Sequence, residues 1–346
     1  KVFGGEIETV TVLQILPDES VVTPLISSTP ISTPAKIIAP KAIRGKGSAT
    51  RFLPSDQTPW GIETIYNDSL VTFTSGGDGM NVAILDTGVY ASHPDLSKRV
   101  VQCKDFTNQR FSLIDGKCDD KNGHGTHVAG IIAADAGVDS KGIYGVAPQT
   151  NVFAYKVCGT NGSCYADDIA VALRLAADQG ANVVNMSFGS DQESSLIRDA
   201  VSYAVSKGVL LVAAAGNDGP FPDSIDYPAA YASVVAVGAV DQSKAVTNWS
   251  SRGINTTTTP WIVENRDVEF AVPGEYIEST WNNGGYVILS GTSMASPFVA
   301  GLAAKYWQST ATDPVTATRD LLHSLATDLL PLGDDDASGF GLPRVQ

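Results

Sequence analysis

The chain has 346 residues, of which 43% are hydrophobic and 17% charged, and its formal net charge is −14 at pH 7. A chain of this length can bury a large core in one or two domains. The acidic balance, without any basic stripe, argues against binding to nucleic acid or to an anionic membrane surface. The apolar run GVLLVAAAG is far too short to span a bilayer.

The N-terminal part differs in composition from the rest of the chain. Residues 17–50 are rich in Pro, Ser and Thr, which predicts an extended arm or linker. The preceding stretch EIETVTVLQIL alternates in hydrophobicity and predicts one strand. Because the pattern becomes regular near residue 56, we divide the chain into an arm at 1–55 and a globular domain at 56–346.

The globular part alternates between buried strands and amphipathic helices. NVAIL at 81–85 predicts a strand, and a helix over 166–180 is followed at once by the strand NVVNMSF. A second helix, LIRDAVSYAVSKG, ends at Gly208 before the strand VLLVAAA. Helices that end at glycine and lead into apolar strands predict an α/β fold, with a mostly parallel sheet covered by helices on both faces.

The four cysteines form two local pairs in the sequence, Cys103 with Cys118 and Cys158 with Cys164. Neither pair has the spacing of a zinc site, so we interpret them as two disulfides in an extracellular protein. Local pairing is favoured over crossed pairing because short loops close more easily, although spacing alone does not establish the connectivity.

Polar residues stand where the predicted strands end. Asp86 follows the first strand, Asn217 ends the stretch AAAGN, and Ser187 and Gly189 lie in NMSFG. Because ligands of parallel α/β sheets bind beyond the carboxyl ends of the strands, these residues are candidates for a functional site.

Two further candidates stand at predicted helix starts, where free N–H groups stabilise negative charge. In LSGTSMASPFVAGLAA, Ser293 follows a Gly-Thr turn, and Pro297 is expected to lie in the first turn of the helix, where proline is tolerated. In NGHGTHVAG, His124 stands at the corresponding position.

Three of these segments carry a family resemblance. AILDTGV, HGTHVAG and GTSMASPFVAG resemble, in the same order, the signature segments of the subtilisin family of serine peptidases, and AAAGN and YPAAYASVVAVGAVD also match that family. The resemblance extends over residues 56–342. It implies a subtilisin-like three-layer α/β fold and a secreted serine endopeptidase that acts on proteins or peptides.

The resemblance also implies roles for individual residues. Ser293 would be the nucleophile, His124 the general base and Asp86 the residue that orients the imidazole. The Asn217 side chain and the Ser293 backbone N–H would bind the oxyanion, although Asn217 before Asp-Gly could instead be a simple turn residue.

The remaining histidines have other interpretations. His127, one turn after His124, is interpreted as a hydrogen-bonded structural residue, since no third metal ligand is suggested. His93 and His323 are interpreted as structural or solvated. A metallopeptidase of the HExxH type is excluded because that motif is absent from the sequence.

The resemblance further implies that an extended peptide binds by strand addition between CGTNGSC at 158–164 and the segment 187–189. In this family, the residue before the Tyr-Pro of SIDYPAAY lies at the floor of the primary specificity pocket. Here it is Asp226, which predicts a preference for Lys or Arg before the scissile bond. Alternatively, Asp226 faces solvent or pairs with a cation, and the pocket is apolar.

Structural calcium is the cofactor that the resemblance implies, because members of the family share a site between an early segment, the Asp of HPDL and a loop before GVAP. Oxygen ligands of this kind suit Ca²⁺, although acidic surface residues would give the same pattern. The matching positions are the side chains of Asp95, Asp139 and Asp56 and the carbonyls of Gly137, Lys141 and Ile143.

VTVLQILPDESV resembles the last strand of the inhibitory prodomain of subtilisin-like zymogens. The arm at 1–55 is therefore either a prodomain tail with its linker or an extension that wraps the mature domain. The resemblance implies that the protein's own prodomain acts as inhibitor and chaperone, and that the enzyme is a monomer.

Two other functions explain parts of the sequence. A catalytically silent binding module with the same fold would not require all of Asp86, His124, Ser293 and Asn217. A nucleotide-binding protein is suggested by SGGDGMNVAILD, but its glycines precede the strand, whereas a phosphate-binding loop follows one.

Overall fold

The computed structural model describes residues 36–38, 43–44, 50–255, 261–329 and 332–346, the first two ranges through their backbone pairing only. The strand predicted within residues 6–16 lies outside the described residues. The helices and strands are, in chain order, β1 Lys36–Ile38, β2 Ile43–Arg44, α1 Trp60–Tyr66, β3 Asn81–Asp86, β4 Val100–Asp105, β5 Ile114–Asp115, α2 His124–Ala133, β6 Asn151–Lys156, β7 Ser163–Tyr165, α3 Ala166–Asp178, β8 Val183–Met186, α4 Ser195–Ser206, β9 Leu210–Ala214, β10 Val234–Val240, β11 Phe270–Pro273, β12 Ile277–Thr280, β13 Tyr286–Ser290, α5 Thr292–Lys305, α6 Pro314–Leu325, β14 Ala326–Thr327 and β15 Leu342–Pro343.

A central sheet of eight strands has the order β11-β10-β9-β8-β3-β6-β4-β5. All its neighbouring strands are parallel except β4 and β5, which are antiparallel. The prediction of a mostly parallel sheet is confirmed.

The sheet is covered on both faces. Along β3, Val82 and Ile84 pack into the core beneath α2 and α5, whereas Ala83 and Leu85 pack into the core beneath α3 and α4. Successive side chains of a strand point to opposite faces, so an uninterrupted apolar strand indicates burial on both sides. The three-layer architecture is therefore confirmed.

Helix α5 departs from expectation at Pro297. The helix begins at Thr292, so Pro297 lies in its second turn, and the prediction that it lies in the first turn is wrong. Proline has no N–H to donate to the carbonyl of Ser293, four residues earlier. The Ser187 hydroxyl donates to that carbonyl at 2.9 Å, which compensates for the missing helical bond.

Smaller elements complete the domain. β12 and β13 form an antiparallel pair that packs behind α2, and the two disulfides link Cys103 to Cys118 and Cys158 to Cys164, as predicted. Among the described residues, no helix has the length and apolar character needed to cross a membrane.

Candidate active site

Asp86 and His124 meet at the carboxyl edge of the sheet. Asp86 is the last residue of β3, and His124 is the first residue of α2. The Nδ1 atom of His124 lies 2.8 Å from Oδ1 and 3.0 Å from Oδ2 of Asp86. Both side chains are buried. The helix approaches the strand closely because residue 125 is glycine: a Cβ atom there would lie 2.2 Å from the carbonyl oxygen of Gly88.

The start of α2 is held by Asp120, which the sequence analysis did not single out. The Asp120 carboxylate accepts hydrogen bonds from the N–H groups of Gly123 (2.8 Å) and Thr126 (3.0 Å) and from the hydroxyl of Thr87 (2.9 Å). The position of an acid four residues before His124, just ahead of a predicted helix, is the signal that could have identified it.

The pKa of His124 reflects two opposing effects. Burial lowers the pKa of His124. The charge and hydrogen bond of Asp86, together with the charge of Asp120, raise it by more, so the pKa lies above its ordinary value. An imidazole whose Nδ1 donates to a carboxylate has its other nitrogen available as a base. Among the described residues, Nε2 of His124 has no hydrogen-bond partner.

Ser293 is the second residue of α5, which follows β13 after the single residue Gly291. Its side chain is buried, and its hydroxyl donates to the carbonyl of Ser187 at 3.0 Å. The predicted nucleophile and base are thus not bonded to each other in this structure, which is common for catalytic groups without substrate.

Asn217 lies beside the N-terminus of α5. Its Oδ1 atom accepts from the backbone N–H of Thr292 at 2.9 Å and from the Thr292 hydroxyl at 3.1 Å. These contacts orient the side-chain amide. A Cβ atom built on Gly291 would lie 3.6 Å from Nδ2 of Asn217 and 3.8 Å from the backbone nitrogen of Ser293. One point in space is therefore close to both predicted oxyanion donors.

The other histidines make structural contacts. Nε2 of His127 lies 3.1 Å and 3.0 Å from the carbonyl oxygens of Ile277 and Val287, and burial lowers the pKa of His127 to about 3. The His127 side chain faces β12 and β13. His93 is buried with Nε2 3.1 Å from the carbonyl of Gly285.

Asp226 lies between the two segments that carry Ser187 and Asn217. Its backbone N–H donates to the carbonyl of Ala215 at 2.8 Å. Cβ atoms built on Gly189 and Gly216 would come within 2.5 Å and 2.8 Å of its Oδ2 atom. The carboxylate thus fills space that side chains at those two positions would need. Its residue is only 5% exposed, so it does not face solvent.

The Asp226 carboxylate has an unusual environment. Among the described residues, its Oδ1 atom has no hydrogen-bond partner. Burial, with the nearby charges of Asp218 and Asp191, raises the pKa of Asp226 to about 8.

The predicted calcium ligands lie around the loop before β6, but they differ in exposure. Asp95 is buried, and its Oδ2 atom accepts from the N–H of Ile143 (3.0 Å) and the hydroxyl of Tyr286 (2.8 Å). Its Oδ1 atom faces the loop, 3.2 Å from a Cβ built on Gly137. Burial raises the pKa of Asp95 to about 6.

The other two acidic calcium candidates are more exposed than Asp95. Asp139 is exposed and accepts from the N–H of Lys141 at 3.3 Å, and Asp56 is exposed and accepts from the N–H of Thr58 at 3.0 Å. The carbonyl of Ile143 accepts from Ala136. The buried Asp95 with an oxygen toward the loop fits a calcium ligand. The charge of Asp139 is close enough to raise the pKa of Asp95, whereas no described contact joins Asp56 to Asp95.

Two short strands of the N-terminal arm, β1 and β2, pair with strands of the globular domain. β1 pairs antiparallel with β7, and Ile37 is opposite Cys164. β2 pairs antiparallel with β13, and Ile43 is opposite Ser290, three residues before Ser293. The arm therefore pairs with the end of the predicted peptide-binding edge at 158–164 and with the strand that leads into Ser293.

A parallel α/β sheet that gathers an Asp–His pair and a helix-start serine at its carboxyl edge is the arrangement of a serine hydrolase. The profile of the Subtilase family matches residues 77–341. The chain belongs to this family, and it is a subtilisin-like serine endopeptidase.

Individual relatives agree with this assignment. A subtilisin of Bacillus sp. (strain TA39) is 50% identical over 309 residues, covering 84% of this chain and 73% of the relative. Subtilisin Savinase of Lederbergia lenta is 38% identical over 292 residues, covering 84% of this chain and 98% of the relative. The solved structure of S41 Psychrophilic Protease has 50% identity and a TM-score of 0.80, covering 84% of this chain and 99% of that chain.

Proposed function

We propose that Asp86, His124 and Ser293 form the catalytic triad that hydrolyses peptide bonds through an acyl-enzyme. The Ser293 hydroxyl attacks the scissile carbonyl carbon while Nε2 of His124 accepts its proton. The protonated imidazole then donates that proton to the leaving amine, and water repeats the sequence on the ester. Asp86 keeps the proton of neutral His124 on Nδ1 and stabilises the imidazolium. The observation that carries this proposal is the Asp86–His124 contact of 2.8 Å, with Nε2 left as the free base.

The tetrahedral oxyanion would be bound by Nδ2 of Asn217 and the backbone N–H of Ser293. Support comes from Thr292, which fixes the Asn217 amide through its N–H and hydroxyl. Donors that are oriented before the reaction stabilise developing charge without reorganising, so they contribute strongly to catalysis.

Labelling with a fluorophosphonate probe tests the nucleophile directly. The probe reacts only with an activated serine, so the full chain should be labelled at Ser293 and the Ser293→Ala variant should not be labelled. Ser202→Ala, which changes an exposed serine on α4, is the matched control. A folded wild-type chain that is not labelled would favour the catalytically silent binding module.

The enzyme would prefer Lys or Arg before the scissile bond. Support comes from Asp226, a buried carboxylate between segments that hold Ser187 and Asn217, with one oxygen that lacks a partner among the described residues. A cationic side chain entering between these segments would pair with that oxygen, whereas Phe or Leu would leave it unpaired.

The peptide substrate would add as a strand between residues 158–164 and 187–189. β1 already pairs with β7 in this way, which supports backbone recognition along this edge.

Residues 1–55 would be an N-terminal arm that includes the end of an inhibitory prodomain. β1 and β2 would dock this arm on the domain at 56–346, and the enzyme would act as a monomer.

Ca²⁺ would be a structural cofactor held by Asp95 and carbonyls of the following loop, with Asp139 and Asp56 as further candidates. When bound, such an ion would neutralise the buried Asp95 carboxylate and stabilise the loop, without taking part in the reaction.

We further propose that the enzyme acts outside the cell. Two disulfides, Cys103–Cys118 and Cys158–Cys164, support an oxidising compartment.

A further inference from the structure

Three carboxylates converge at Asp226, the residue expected at the floor of the specificity pocket. Asp191 follows the segment 187–190, and Asp218 follows Asn217, so each wall of the pocket contributes one acid. One oxygen of Asp191, one of Asp218 and one of Asp226 all lie within 4.8 Å of one another. Asp191 and Asp218 are exposed, while Asp226 is buried.

Within the described part of the chain, one oxygen of Asp226 lacks a hydrogen-bond partner, although the carboxyl group also interacts with Asp191 inside the cluster. The residue is 95% buried, being only 5% exposed, and its Oδ1 atom has no hydrogen bond among the described residues. A buried carboxylate oxygen without a donor is costly, and protein structures normally satisfy such an atom with a hydrogen bond, water or an ion.

Two arginines on neighbouring segments are already paired with other acids. Arg198 contacts Glu193 and Asp199, and Arg266 contacts Asp223. The charges that shift the pKa of Asp226 are those of Asp218 and Asp191, both of which raise it. Three acids this close repel one another in their charged forms, and a bound cation would relieve that repulsion.

The size of the cluster suits a calcium ion. An ion at the centre of three atoms separated by no more than 4.8 Å lies within about 2.8 Å of each. Ca²⁺ binds oxygen at about 2.3–2.6 Å in flexible geometry, so small side-chain movements would complete the contacts. Mg²⁺ requires about 2.0–2.1 Å and a near-ideal octahedron, which this open cluster fits less well.

We propose that Asp191, Asp218 and Asp226 bind Ca²⁺, and that this ion competes with a Lys or Arg side chain of the substrate for the base of the pocket. The competition rests on the proposed preference for basic residues, whereas the binding of the ion does not. The site is separate from the loop that contains Asp95 and Asp139. Free calcium would then act as a regulator of substrate choice.

Calorimetric titration with Ca²⁺ alone tests the site independently of activity. The full chain with Ser293→Ala avoids self-digestion, and it is compared with the same chain that also carries Asp191→Asn and Asp218→Asn. We expect one calcium site to be lost or weakened at least tenfold. The matched control carries Asp199→Asn and Asp320→Asn, which remove the same charge from exposed positions and should retain the site. Equal melting temperatures in chelator would show that all three chains are folded.

Two results would overturn parts of the proposal. An unchanged number of sites and unchanged affinity in the Asp191→Asn, Asp218→Asn chain would overturn the calcium site. With active enzyme, rising free Ca²⁺ should raise KM for a substrate with Arg before the scissile bond and leave KM for the Phe analogue unchanged. An unchanged KM for Arg would overturn the competition. If the enzyme prefers Phe at every calcium concentration, the proposed specificity fails, while the calorimetry still decides the site.

Discussion

The Nδ1 atom of His124 contacts both carboxylate oxygens of Asp86, at 2.8 Å and 3.0 Å, and both side chains are buried. This geometry fixes the proton of neutral His124 on Nδ1 and raises the pKa of the imidazole against the opposing effect of burial. Since only the neutral imidazole can accept the serine proton, kcat/KM should fall as pH drops through this raised pKa.

Asp86→Asn should move the acidic limb of the pH profile of kcat/KM to lower pH, because burial then lowers the pKa of His124 without opposition from Asp86. It should also reduce kcat by about 10⁴-fold, the size of loss known for the corresponding residues of serine peptidases, subtilisin included. The measurement is a pH–rate profile, with Asp78→Asn at an exposed position as control. A limb that stays in place would contradict the role of Asp86.

Ser293→Ala should abolish nearly all hydrolysis while leaving folding intact, because only the nucleophilic oxygen is removed. The expected loss of kcat is about a millionfold, the size of loss known for subtilisin. Hydrolysis of a chromogenic peptide and a melting curve together provide the measurement. A variant that keeps even a tenth of the activity would refute the assignment of Ser293.

Asp226→Gly should reduce the preference for Arg over Phe before the scissile bond, because the pocket loses the carboxyl group that would pair with a cationic side chain. The Arg-to-Phe ratio of kcat/KM should fall at least tenfold, as expected for loss of a charge-assisted hydrogen bond. Matched peptides are assayed at one fixed free Ca²⁺ concentration. Asp223→Asn, which changes an exposed acid on the same loop, should leave the ratio unchanged. A wild-type preference for Phe would disprove the idea.

Removal of calcium should lower the melting temperature, because an ion that binds only the folded state stabilises it by mass action. The chelator-induced shift should shrink in Asp95→Asn and in Asp139→Ala. Lys141→Ala should keep the full shift, since that residue would contribute its carbonyl rather than its side chain. Melting curves that are identical with and without excess chelator would count against the calcium site at Asp95 and Asp139.

Glu269→Gln should destabilise the protein by about 3–5 kcal/mol, because it leaves the largely buried Arg319 unpaired. Burial raises the pKa of Glu269, but Arg319 and His323 lower it by more, so that it lies below 4.5. The stabilisation is thus fully present above about pH 4.5 and is lost as pH falls through the lowered pKa. Urea unfolding at several pH values, with Asp320→Asn as control, should show the difference shrinking only in acid.

Much of the domain could be predicted because its patterns are local. The apolar run at 81–85, the glycine after α3 and the helix starts at His124 and Ser293 all lie close to where the sequence indicates. The pairing of Asp86 with His124 crosses 38 residues, and the family resemblance rather than any local pattern predicted it.

Other features depend on contacts between distant segments. The bond from Ser187 to the carbonyl of Ser293 makes Pro297 tolerable in a second helical turn, and it joins residues 106 positions apart. β12 and β13 are short and provide the partners of His127, which no periodicity indicated. The burial of Asp226 depends on the packing of two strand ends, so the sequence left its direction open.

The pairing of β2 with β13 brings Ile43 opposite Ser290, while β1 lies along β7. If Ser293 cleaved its own chain between β1 and β2, the effective concentration of that segment would be set by the length of the connecting chain and not by dilution. Any cleavage between the two strands would therefore be first order in enzyme, with a half-life that does not change when the protein is diluted. Cleavage of a separate peptide would slow in proportion to the dilution.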